Sequence, residues 1–216
     1  MAESHAGFLR DETFATMIAV GIVACQWWIM DDLKVPMKWA VPGIATAFVI
    51  GLLVARLISG QPHRTGRALG IGLGWVLVVA NVVDLVALCG QAFFGSPSGP
   101  TELLFTGAIL WIMNVLVFGL VYWVLDAGGP QARATGAPEE RDWVFPQQTD
   151  DRNSSPAWKP LVGDYLYLAF TGAIAFGPTD AMPYTRRAKA LMAIEGALAL
   201  ATLGVIIARG VSLAGS

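Results

Sequence analysis

The chain has 216 residues, 55% of them hydrophobic and 14% charged, with a mean hydropathy of +0.58. Soluble domains carry about 25% charged residues, so this composition excludes an ordinary soluble domain and predicts an all-α integral membrane protein. A formal net charge of −2 gives no basic footprint for nucleic acid; the expected partner is the lipid bilayer of the cell membrane.

The N-terminal segment mixes Glu3, Arg10, Asp11 and Glu12 and has no small-residue cleavage pattern, so the first apolar run reads as a retained helix. That run is Thr13–Met30, uncharged and of spanning length, with Trp27 and Trp28 near its end. Trp39–Ala55 is the second, with Pro42 in its first turn, where the missing N–H is harmless. Tryptophans at these ends fit an interfacial aromatic belt. After a basic linker, Arg56–Arg67, comes a third helix, Ala68–Phe94, interrupted by Asn81, Asp84 and Gln91. The Pro/Gly turn Gly95–Pro100 leads to a fourth, Leu103–Leu125, without a charge and containing Asn114. Residues 1–126 thus form a four-helix transmembrane region, and residues 127–160 a polar connecting loop. Trp143 and Trp158 in that loop are expected at the membrane surface, beside stretches of disorder-prone composition.

Residues 161–216 hold a different pattern. Tyr165–Phe176 is too short to cross a bilayer and ends in Gly177-Pro178-Thr179-Asp180, which no helix continues through. Ala190–Ala208 is long enough, with Glu195 as its one charge. The expected architecture is five transmembrane helices plus a re-entrant half-helix before the last. With the N-terminus inside, Arg10, Arg56, Arg64, Arg67, Arg133, Arg141, Arg152 and Lys159 fall inside and Lys34 and Lys38 outside. A non-crossing half-helix keeps Arg186, Arg187 and Lys189 inside as well, so the loop enters from the cytoplasmic side.

The stretch Asp164–Arg209 resembles the pore module of the tetrameric potassium-channel superfamily: pore helix, filter loop and inner helix. Asp164, Leu166 and Tyr167 match the opening of the pore helix, Gly177 the first filter glycine, Asp180 the aspartate after the filter, and Pro183 and Thr185 the lead into the inner helix. The match spans roughly a fifth of the chain. The stretch Asp164–Thr171 is also similar to one in an uncharacterised family of bacterial multi-helix membrane proteins. The channel resemblance implies a symmetric homo-oligomer, a tetramer, passing a monovalent cation. Ala175, Phe176, Gly177, Pro178, Thr179 and Asp180 occupy the filter positions, yet Pro178 fixes its own φ and restricts Gly177, and β-branched Thr179 disfavours positive φ. A potassium-type ladder of carbonyls is therefore not expected. Either Thr179 and Asp180 line a pore, or Asp180 caps a helix over Pro183–Arg187. In potassium channels the loop enters from outside, the face opposite to the one the charge bias favours here.

Asn81, Asp84, Asn114, Gln91 and Glu195 are costly in lipid and should face protein or water. Asn81 and Asp84 share a helix face. The asparagines read as interhelical hydrogen-bond partners, while Asp84 and Glu195 read equally as structural groups or a cation path. Two histidines and two isolated cysteines, Cys25 and Cys89, offer no metal site or disulfide; with no nucleophile triad or phosphate loop either, neither an enzyme nor a cofactor is expected. The leading expectation is a pore-loop ion channel-like protein, cation-conducting with altered or no potassium selectivity. The alternatives are a proton- or cation-coupled small-solute transporter and a non-conducting subunit or scaffold.

Overall fold

The computed structural model of the chain describes residues 2–32, 39–59, 64–94, 100–135, 140–149, 158–174 and 181–214. Among the described residues seven α-helices carry the fold: α1 (Ala2–Asp32), α2 (Ala40–Ser59), α3 (Arg64–Phe94), α4 (Pro100–Leu125), α5 (Pro130–Thr135), α6 (Val162–Ala173) and α7 (Arg186–Ala214). A two-residue antiparallel ladder pairs β1 (Trp143–Val144) with β2 (Met182–Pro183). Among the described residues four helices are long and apolar enough to cross a membrane, over Arg10–Ile29, Gly66–Phe94, Thr101–Gly128 and Arg186–Val211; Ala40–Ala55 is a shorter apolar helix. Their outward faces carry Met17, Val20, Val79, Val86, Phe105, Ile112, Leu200 and Ile207, all exposed. Large apolar side chains facing outward on every long helix are what hydrocarbon, not water, accommodates.

Helix α4 is central, with α1, α3, α6 and α7 packed on it. That explains why no face of α4 is polar: Leu110, Met113, Val117, Phe118 and Val121 are all buried. Small residues set the close approaches. Gly72 admits the Phe48 ring of α2, Gly107 admits Ile206 of α7, and Gly119 lies against the backbone of Leu166 in α6. The chain leaves α4 through a 3-10 turn, Asp126–Gly128, followed by Gly129; Ala127, Gly128 and Gly129 all have positive φ. A Cβ on Gly129 would lie 3.0 Å from the Val124 carbonyl oxygen, so glycine is required there twice over.

Helix α6 has 12 residues, roughly 18 Å of rise, against a hydrocarbon core of about 30 Å. It begins where α4 ends, since the Val162 N–H donates to Asp11 Oδ1 at 2.9 Å and the Trp123 indole to Asp11 Oδ2 at 3.1 Å. The chain is back at that same end by Met182–Pro183, paired with Trp143–Val144. We call this the polar end. At the opposite end Arg209 of α7 hydrogen-bonds the Ala92 carbonyl of α3, and the Trp27 and Trp39 rings lie 5.5 Å apart.

Thr13–Met30, Ala68–Phe94, Leu103–Leu125 and Ala190–Ala208 lie inside α1, α3, α4 and α7, which run further at most ends because helices continue through polar flanks that an apolar window does not reach. Trp39–Ala55 starts one residue before α2, and Tyr165–Phe176 runs three residues past the end of α6, its last two outside the described residues. One expectation about the connecting loop is corrected. Trp143 is not at the membrane surface: it is fully buried, its ring 4.6 Å from Tyr122 and its indole N–H 3.4 Å from Met192 Sδ. The β1–β2 pairing draws it inward, a long-range contact that its polar sequence neighbours do not announce.

Candidate functional site

Helices α1, α3, α4 and α7 each turn a polar residue inward. Asp84 and Glu195 are 0% exposed, and Gln26, Asn81 and Asn114 are buried with them. Gln26 Nε2 of α1 donates to Asp84 Oδ2 of α3 at 2.6 Å. One turn back along α3, Asn81 Nδ2 donates to Asn114 Oδ1 of α4 at 2.8 Å, and Asn114 Nδ2 reaches the Glu195 backbone carbonyl at 3.3 Å. The Tyr122 hydroxyl donates to Glu195 Oε2. The result is a ladder of polar groups, Gln26–Asp84, Asn81–Asn114, Glu195–Tyr122, staggered along the bundle. Glu195 lies roughly 14 Å along α7 from its start at the polar end, Asn114 lies roughly 17 Å from the end of α4 at that same end, and Asp84 lies one turn beyond Asn81.

Each acid has one oxygen satisfied. Asp84 Oδ1, Glu195 Oε1 and Gln26 Oε1 are buried without a hydrogen-bond partner. A carboxylate away from water is costly unless something positive or a donor meets it. The open oxygens are therefore the chemically informative atoms.

Glu195 has a second neighbour that only the fold supplies. A Cβ on Gly172, in the last turn of α6, would lie 3.1 Å from Glu195 Oε2. The end of a helix leaves its last carbonyls without intrahelical partners and carries about half a negative charge. A half-length helix ending against a buried carboxyl concentrates negative potential at one point inside the bundle. Glycine at 172 leaves room for this approach, since a Cβ there would crowd the carboxyl by a few tenths of an ångström.

At the polar end a second cluster ties the short elements together. Asp126 Oδ1 accepts the Asp142 N–H at 2.8 Å and the Trp143 N–H at 3.2 Å, and Oδ2 accepts the Tyr165 hydroxyl at 2.6 Å. Arg133 donates to the Asp126 carbonyl at 2.6 Å and lies over the Tyr165 ring at 5.1 Å. Asp142, fully buried, receives Arg187 Nε at 2.6 Å, pairs with the second arm of that guanidinium, and accepts the Thr185 hydroxyl. Asp164 caps α6 by accepting the Leu161 N–H at 2.7 Å. Burial raises the Asp164 carboxyl above its ordinary value, and nearby Asp11 adds to the rise.

The structure brings together Asn81, Asp84, Asn114 and Glu195 as one interior set. The filter-like residues Ala175, Phe176, Gly177, Pro178, Thr179 and Asp180 lie outside the described residues. The cap of α7 is Thr185, whose Oγ1 accepts the Ala188 N–H at 3.2 Å. No cluster of metal-binding side chains occurs among the described residues, and Cys25 and Cys89 are free thiols. Sequence reasoning missed Gln26, Tyr122 and Asp126. Gln26 interrupts the first apolar run and Asp126 ends the fourth, so both were visible as polar exceptions; Tyr122 had no signal. No protein-family model matches this chain, nor does any curated protein or solved structure, so the functional reading rests on the chemistry of these side chains.

Proposed function

We propose that the protein is a multi-pass protein of the cell membrane, with five spans and α6 as a re-entrant half-helix, that moves protons or a monovalent cation coupled to a small solute. The observation that carries this is the Glu195 carboxyl lying against the C-terminal turn of α6 within one chain. Half-helix ends and interior carboxyls are a common way to hold a cation at mid-membrane. Glu195 is the first station and Asp84 the second, with Asn81 and Asn114 orienting the path between them. Purified chain in vesicles carrying a pH-sensitive dye tests it. Glu195→Gln and Asp84→Asn should each cut proton or sodium flux by at least about tenfold, the loss expected when one essential carrier is removed. Flux unchanged in both variants removes the reading.

A second reading is the pore-loop cation channel, which the return of α6 to its own end and the register resemblance over Asp164–Arg209 both favour. It requires a homo-oligomer, a tetramer by that resemblance, with Gly177–Asp180 on the axis. Asp180→Asn then changes permeation while Asp84→Asn does not, and the detergent-solubilised mass is four chains. A monomer that carries cations selects the first reading.

A further inference from the structure

A cavity of about 420 Å³ lies between α1, α2, α3 and α4 and opens at the polar end beside α5. Small-molecule sites span roughly 300–1,000 Å³, so the size suits a ligand. None of Asn81, Asp84, Asn114 and Glu195 lines it. Its depth is apolar, walled by Ala19, Leu73, Leu77 and Val117, and its polar groups gather at the mouth: Glu12, Thr16, Arg67, Gln131 and Thr135. The floor stands one helical turn from the Asn81–Asn114 pair, because Leu77 and Val117 flank those asparagines at helical spacing.

We propose that this cavity binds a single-chain amphiphile with one negative charge, its hydrocarbon tail between α1 and α4 and its carboxylate or phosphodiester head at Arg67. Water in the apolar depth would find no hydrogen-bond partners, whereas a hydrocarbon chain loses its own contact with water there. A guanidinium presents a planar fork of donors that fits a carboxylate or phosphate. Glu12 at the same mouth disfavours a doubly charged head. Thr16 and Gln131 supply neutral hydrogen-bonding groups around it. The mouth lies at Gly66 and Gly128, where two of the apolar spans end, the depth at which lipid head groups sit.

The full chain, purified in non-ionic detergent and stripped of co-purified lipid, is titrated with dansyl-undecanoate, binding being read as a blue shift and gain of emission. The expected result is saturation at one probe per chain, displaced by unlabelled palmitate. Ala15→Phe and Thr16→Phe, which put bulk into the α1 wall, each weaken binding by at least about tenfold. Arg67→Gln weakens the carboxylate probe by about tenfold and the matching dansyl alcohol by less than about twofold. Uptake no greater than that of protein-free micelles overturns the assignment. So does wild-type binding by whichever of Ala15→Phe and Thr16→Phe elutes and folds as wild type. Equal loss of both probes in Arg67→Gln overturns the placing of the head. The assignment does not rest on cation movement: a chain that binds the probe and carries no cation overturns the reading of Glu195 and leaves this one standing.

Discussion

Glu195 takes one side-chain hydrogen bond, from the Tyr122 hydroxyl to Oε2, the oxygen nearer Gly172 of α6, while Oε1 is buried without a partner. Tyr122→Phe keeps the ring contacts with Phe118 and Trp143 and removes that donor. It should destabilise the protein by about 1–3 kcal/mol, the cost of leaving a buried acceptor unmet, read as a lower thermal midpoint in detergent. Asp126→Ala should cost more, since it strands two backbone N–H groups and the Tyr165 hydroxyl at once. An unchanged midpoint in Asp126→Ala would mean that the polar end does not hold the fold together. Asp164 carries a pH prediction. Its folded carboxyl is raised, so the folded state holds the proton more tightly than the unfolded chain. Stability therefore falls as pH rises from the ordinary carboxyl value of 3.8 through the folded one. Asp164→Asn keeps an acceptor for Leu161 and has nothing to ionise, so its midpoint should gain on wild type between pH 4 and pH 7. A constant difference across that range would remove burial as the cause.

Helix α6 is held by how closely it approaches α4. A Cβ on Gly119 would meet the Leu166 Cα at 3.0 Å and its N at 3.3 Å, backbone atoms that do not yield as a side-chain tip does. Gly119→Ala should cost about 1–3 kcal/mol by overpacking, and Gly119→Val more, with faster proteolysis around residues 158–185. Gly129→Ala combines a positive φ of 95° with a 3.0 Å contact and should cost about 1–2 kcal/mol. Much at this scale was legible beforehand. Thr13–Met30, Leu103–Leu125 and Ala190–Ala208 lie within α1, α4 and α7, because runs of apolar residues of spanning length have few alternatives to a helix. The brevity of α6 was legible too, from Gly177-Pro178 closing its apolar run. The pairing of Trp143–Val144 with Met182–Pro183 was not, since a two-residue ladder leaves no periodic signal.

For the molecule as a whole, the distribution of charge predicts a direction of insertion. The polar end gathers Arg133, Arg141, Lys159, Arg187 and Lys189 beside the buried acids Asp126 and Asp142, and a cationic excess marks the cytoplasmic side. In a background lacking Cys25 and Cys89, a cysteine replacing exposed Lys159 should react with an impermeant maleimide only in inside-out vesicles. A cysteine replacing exposed Glu102 should react only in right-side-out ones. Labelling in the reverse sense inverts the orientation of the bundle and of α6.

Sequence by itself determined that the chain has long apolar helices, where each lies, and that Asn81, Asp84, Asn114 and Glu195 are among the polar exceptions within them. Those conclusions follow from local physics: hydrocarbon demands satisfied backbone groups and rejects charge, and both demands act over a single helix. Only the tertiary structure decided which exceptions meet. Tyr122 reaches Glu195 across 73 positions and Val162 reaches Asp11 across 151, and no periodicity encodes such partners. It also decided that α6 ends at Glu195. That meeting is eased by glycine at 172 and set by the packing of α6 and α7 against α4, a property of shape rather than of any one segment.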